Sequence, residues 1–151
     1  VRELGATARG QAETTIDRCF ERLADVERYP VWYPTGVRRA EELERGADGA
    51  ATKVKATLAL AHGPIQRDFT LHLGVTVDRP RLVELRRLPK EPGDQEQVTI
   101  TWRLSELGSE RTQLAVELAA KLDIPRFLPL GGVADHIARG FLDAAVASFR
   151  A

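Results

Sequence analysis

The sequence predicts an α+β domain in which seven antiparallel strands form one curved sheet, with two short helices near its start and a long helix at its end. Three observations carry this. Apolar residues recur at every second position through most of the stretch from Val37 to Leu118. They recur at three- and four-residue spacing from Ile16 to Leu23 and again towards the C-terminus. The strand-like runs are joined by short turns that leave no room for the crossovers a parallel sheet needs. The 151 residues suit one domain covering 1–151, with 43% hydrophobic and 29% charged residues as in an ordinary globular chain.

The elements follow in order. Ala6, Ala8, Gly10 and Ala12 alternate with Thr7, Arg9, Gln11 and Glu13, a strand whose inward face is all small. Either something approaches that face closely, or space remains beside it. Thr15 is a good N-cap for a helix that places Ile16, Cys19, Phe20 and Leu23 on one side. Pro30 and Pro34 are expected to bracket a second helical turn holding Trp32, because each disfavours helix at the residue before it. Val37 to Arg45 reads as a charged edge strand ending in a turn at 46–49. Two strands flank the turn His62-Gly63-Pro64, the first carrying Val54, Ala56, Leu58 and Leu60 inward, the second Phe69, Leu71, Leu73, Val75 and Val77. Leu82 to Leu88 is the fifth strand. Val98, Ile100, Trp102 and Leu104 face inward on the sixth, and Leu114, Val116 and Leu118 on the seventh, with a turn from Leu107 to Glu110 between them. Phe127, Leu130, Val133, Ile137, Phe141, Ala145 and Phe149 form the stripe of the final helix, whose first turn Pro129 and Gly131-Gly132 delay or kink.

Composition removes several functions. Lys plus Arg equals Asp plus Glu, 22 against 22, so the chain lacks the basic excess of a nucleic-acid binder. One cysteine, Cys19, excludes an internal disulfide and a Cys-rich metal site. No run approaches the ~20 apolar residues of a bilayer span. The opening VRELGATARGQAETT has no basic-then-apolar leader pattern, so a cytoplasmic location is expected. His62, His72 and His136 are scattered over a turn, an outward strand position and the helix, so neither a metal nor a cofactor is expected. No serine sits in a nucleophile elbow.

The motif Phe20, Leu23, Asp25-Val26, Tyr29-Pro30, Trp32 and Pro34 resembles the F-x-x-L-x-D-x-x-x-Y-P-x-W-x-P pattern of the polyketide cyclase/dehydrase and lipid-transport branch of the START/Bet v 1-like (SRPBCC) superfamily. Coenzyme Q-binding proteins and a ribosome-associated toxin relative share much of it. The resemblance covers essentially the whole chain and implies the helix-grip fold, a curved sheet wrapped on its last helix. It also implies binding or transport of a hydrophobic small molecule in an internal cavity: a lipid, a quinone or a polyketide-like compound.

The candidate ligand-binding residues are Trp32, Tyr33, Arg67, Phe69, Leu71, Trp102, Val116, Phe127, Val133, His136, Ile137 and Phe141. Each has a plainer role. Trp32 and Tyr33 either fasten the short helices to the sheet or stand at the cavity mouth. Arg67 has inward parity with Phe69 and Leu71; it either contacts a polar group of the guest or lies at the strand's start and reaches solvent. Trp102 and the helix stripe are core packing or cavity wall. Cys19 is expected to be an inert core thiol. No catalytic residue is assigned. Two alternatives stay open: a polyketide aromatase/cyclase or dehydratase using Arg67 and Tyr33, and a protein-interaction module like the toxin relative, using the charged strand Arg38 to Arg45 and the Arg86-Arg87 pair. Monomer and homodimer are both compatible with the pattern.

Overall fold

A computed structural model describes residues 2–150, apart from the side chain of Ile65. The elements are β1 (Arg2–Ala12), α1 (Ile16–Ala24), a single 3-10 turn (Val26–Arg28), α2 (Tyr29–Trp32), β2 (Val37–Arg45), β3 (Ala51–His62), β4 (Ile65–Asp78), β5 (Leu82–Arg87), β6 (Gln97–Gly108), β7 (Arg111–Leu122) and α3 (Val133–Ser148). The seven strands form one antiparallel sheet in the order β1-β7-β6-β5-β4-β3-β2. Consecutive hairpins build β2 through β7, and β1 pairs with β7, from Arg2 opposite Leu122 to Ala12 opposite Thr112. The segment α1–α2 carries the chain from one edge of the sheet to the other.

The all-small face of β1 answers to close approach. Ala8 and Ala12 are buried, and a Cβ on Gly10 would lie 3.2 Å from Leu142 Cδ2 and 3.5 Å from Val146 Cγ2. α3 therefore lies directly on this strand through its C-terminal half. The same end is tied by Arg22 of α1, whose guanidinium donates to the Ser148 carbonyl (2.7 Å) and hydroxyl (2.9 Å) and stacks on Phe149. Thr15 caps α1 as expected, its Oγ1 accepting from the Arg18 N–H at 3.2 Å, and Ile16, Cys19, Phe20 and Leu23 are buried. Burial pushes the Cys19 thiol up, which keeps it protonated and inert.

Three expectations need correction. Pro30 does not bracket a turn: Tyr29 itself is helical (φ −53°, ψ −39°), and Pro30 sits in the first turn of α2, where its missing N–H is not needed. Only Pro34 acts as a stop, with Tyr33 at φ −137°, ψ 59°. Phe127 is not on the α3 stripe. The helix starts at Val133 behind Gly132 at φ 78°, and Phe127 lies in the preceding loop, 84% exposed. Arg87 is not a surface group: it shares the inward face of Val83 and Leu85 and is buried.

β5 pairs with β4 only from Leu73 to Asp78, and a last hydrogen bond runs from the Leu88 N–H to the His72 carbonyl. β3 and β4 continue past this point, paired down to His62 opposite Ile65. Their hairpin thus overhangs the sheet beside the N-terminal half of α3. Gly10→Leu would force a branched side chain into Leu142 and Val146 and should destabilise the protein by about 1–3 kcal/mol in urea unfolding; unchanged stability would show that α3 does not rest on β1 as described.

Candidate functional site

Between the sheet and α3, the concave face has a packed end and an open end. Phe141 of α3 organises the packed end, with ring centroids 5.0 Å from Tyr33 and 6.4 Å from both Tyr29 and Trp102. Trp32 extends the cluster, 4.7 Å from Tyr29 and 6.2 Å from Tyr33. Tyr29 is buried, and its hydroxyl donates to the Leu23 carbonyl at 2.6 Å, satisfying the end of α1. Burial pushes that phenol well above its ordinary range. The Trp102 N–H opposes the rise from nearby, outside hydrogen-bond geometry, and Asp25 adds to it. The buried indole N–H groups of Trp32 and Trp102 have no acceptor among the described residues.

Tyr33 lies in a slot made by two glycines. A Cβ on Gly36 or on Gly140 would fall far inside contact distance of the Tyr33 ring or hydroxyl. Burial, then the nearby Asp143 carboxylate, raises the Tyr33 phenol. It stays protonated at neutral pH and is available as a donor.

The open end is apolar. Leu58 lies opposite Phe69 and Ala56 opposite Leu71 across the β3–β4 pair, so Leu58, Leu60, Phe69 and Leu71 share the concave face. With Ile137 of α3 they are only half-buried, whereas Val54, Ala56, Leu73, Leu85 and Ile100 further along the same face are sealed. Arg67, opposite Leu60, is exposed at the hairpin's end with its guanidinium 5.1 Å from the centre of the Phe69 ring. His62, the last residue of β3, meets His136 of α3 with ring centroids 4.9 Å apart, and its Nε2 lies 3.4 Å from the Gly131 carbonyl.

The expected site residues therefore divide. Phe69, Leu71 and Ile137 line the open end, and Arg67 and His136 stand at its rim. Trp102, Val116 and Phe141 are fully buried in the packed end, and Val133, the first residue of α3, is buried apart from that cluster. Trp32 and Tyr33 join α2 to the sheet and α3, and Phe127 is away from the concave face's core in the β7–α3 loop. Sequence reasoning missed His62, which belongs to β3 rather than to a turn. Its even spacing from Leu58 and Leu60 carried the signal, but the following Gly63-Pro64 drew it into the loop.

Two further features lie outside this face. Arg87 pairs with Asp94 at 2.8 Å and donates to the Glu96 carbonyl at 2.8 Å, clasping the β5–β6 loop. Arg87, then the Lys90 and Glu96 amides, hold the Asp94 carboxyl well below the usual carboxylate range. An open groove of ≈ 530 Å³ runs outside, between the α1–α2 segment and the C-terminal half of α3, lined by Arg22, Asp25, Arg28, Val31, Trp32 and three small α3 residues. Among the described residues, no three metal-ligating side chains converge, and no helix is long and apolar enough to cross a membrane.

A seven-stranded antiparallel sheet gripping a C-terminal helix, with half-buried apolar residues on its concave side, defines a START-like helix-grip protein. Residues 13–150 match the model of the family described as polyketide cyclase / dehydrase and lipid transport, and the chain belongs to that family. Among solved structures it is similar to a START superfamily protein from Mycobacterium smegmatis (16% identity, 96% of each chain, TM-score 0.80). It is also similar to the Zhui aromatase/cyclase from a Streptomyces species (20% identity, 97% of this chain and 93% of that one, TM-score 0.71). A major latex-like protein from Panax ginseng has the same fold (9% identity, 99% of each chain, TM-score 0.72). None of the curated proteins matches the sequence.

A glycine-to-alanine change inside a helix ordinarily stabilises by up to about 1 kcal/mol. Gly140→Ala should do the opposite, because the new Cβ displaces Tyr33, and its effect should turn stabilising in a Tyr33→Ala background. Urea unfolding of the double-mutant cycle measures this; additive effects would mean that the slot does not hold Tyr33.

Proposed function

We propose that the protein binds a hydrophobic small molecule in the gap between the β3–β4 hairpin and the N-terminal half of α3. One observation carries this reading: Leu58, Leu60, Phe69, Leu71 and Ile137 all face the concave side yet are only half-buried, in a fold whose adjoining residues are sealed. Apolar surface left open within a concavity is what an apolar guest needs, since its transfer from water contributes about 25 cal/mol per Å² buried. Family membership supports carriage of a lipid-like compound as the role. Leu71→Arg places a charge on the wall and should weaken binding of a neutral fluorophore such as Nile red at least about tenfold, while circular dichroism shows the fold retained. Undiminished binding by the folded variant would locate the guest elsewhere.

A second reading, cyclisation or dehydration of a polyketide, is favoured by Tyr33, a phenol kept protonated by burial and packed edge-on against Phe141. It requires a donor and an acceptor within reach of the guest, and Arg67 on β4 is the cation that would polarise a guest oxygen. Assayed on a polyketide mimic, Tyr33→Phe and Arg67→Ala should each lower the rate about 100-fold. Rates equal to the parent's would remove both residues from any such chemistry.

A protein-docking role gains little from the charged strands. Arg38 pairs with Asp68, Arg45 with Glu42, Lys53 with Glu44 and Arg86 with Glu84, so these surfaces largely neutralise themselves.

A further inference from the structure

We infer that the guest is an anionic amphiphile whose carboxylate-like head rests at the rim formed by Arg67, His62, His136 and the first turn of α3, with its tail along the apolar gap. This rests on the binding reading above and names the chemical class of its ligand. The β3–β4 register sets the geometry. Leu60 faces Arg67 and His62 faces Ile65, so His62 and Arg67 are diagonal neighbours on the concave face, about 7–8 Å apart at their backbones. His136 enters from α3 and meets His62, its ring centroid 4.9 Å away. Three nitrogen-bearing side chains from three elements thus stand at the end of the hairpin, the two histidines in contact and Arg67 turned over Phe69.

The surroundings favour one sign of charge. α3 starts at Gly132 with no side-chain cap, so the positive end of its dipole lies beside His62; a Cβ on Gly132 would be 3.5 Å from His62 Nε2. On β4, Asp68 has the opposite parity to Arg67 and is engaged by Arg38 at 3.2 Å. On α3, His136 is preceded by Asp135 and followed one turn later by Arg139, itself 3.9 Å from Asp143. Below the rim everything is apolar: Leu60, Phe69, Leu58 and Leu71 continue the face inward. Arg67 joins the two zones, with its cation over the ring of Phe69. Arg67 and the N-terminal end of α3, set above an apolar wall, fit a single-headed anion with a hydrocarbon tail.

The test measures displacement of Nile red by dodecanoic acid and by dodecan-1-ol at neutral pH. The acid should bind about tenfold more tightly than the alcohol, as expected for one opposite charge within contact distance. Arg67→Gln should bring the acid-to-alcohol ratio towards one. Equal affinity of acid and alcohol in the parent protein would overturn the head-group inference while leaving the binding site standing. Failure of both, with no Nile red bound, would overturn the binding reading and this one with it.

Discussion

Phe141 is the residue on which the arrangement turns, because α3, α2 and the sheet all meet on its ring. It holds Tyr29 and Tyr33 on one side and Trp102 of β6 on another. Tyr29 in turn fastens α1 through the Leu23 carbonyl, and Tyr33 fits a slot that only glycine at 36 and 140 leaves open. Large aromatic rings contribute both area and shape here, so the cluster fixes distance as well as adding cohesion.

That clamp grips α3 near its middle. The C-terminal half is drawn onto the small residues of β1 and tied by Arg22 to α1. The N-terminal half then spans an overhanging β3–β4 hairpin that β5 is too short to support. The half-buried leucines and Phe69 lie on that overhang. The His62–His136 contact is what links hairpin and helix across it.

Charge is arranged with the same asymmetry. Along β2 and β5 the charged side chains pair locally, and Arg87 is taken inward by Asp94. At the rim, Arg67 is held instead by an aromatic ring, and the two histidines by each other and a backbone carbonyl. Polar groups satisfied so weakly are the ones a ligand can recruit.

Periodicity by itself determined the strand order in sequence, the amphipathic face of α1, the edge strand Val37–Arg45 and the concave parity of Phe69, Leu71 and Trp102, because side chains on a pleated strand alternate whatever lies around them. The all-alanine-and-glycine face of β1 announced an unusual neighbour without saying which. Only the tertiary structure decided that α3 is that neighbour, that His62 belongs to β3 and meets His136, that Arg87 turns inward, and that Phe127 leaves the helix. Those outcomes depend on how far α3 tilts and where β5 stops. They follow from contacts between residues up to a hundred or more positions apart, which no local pattern records.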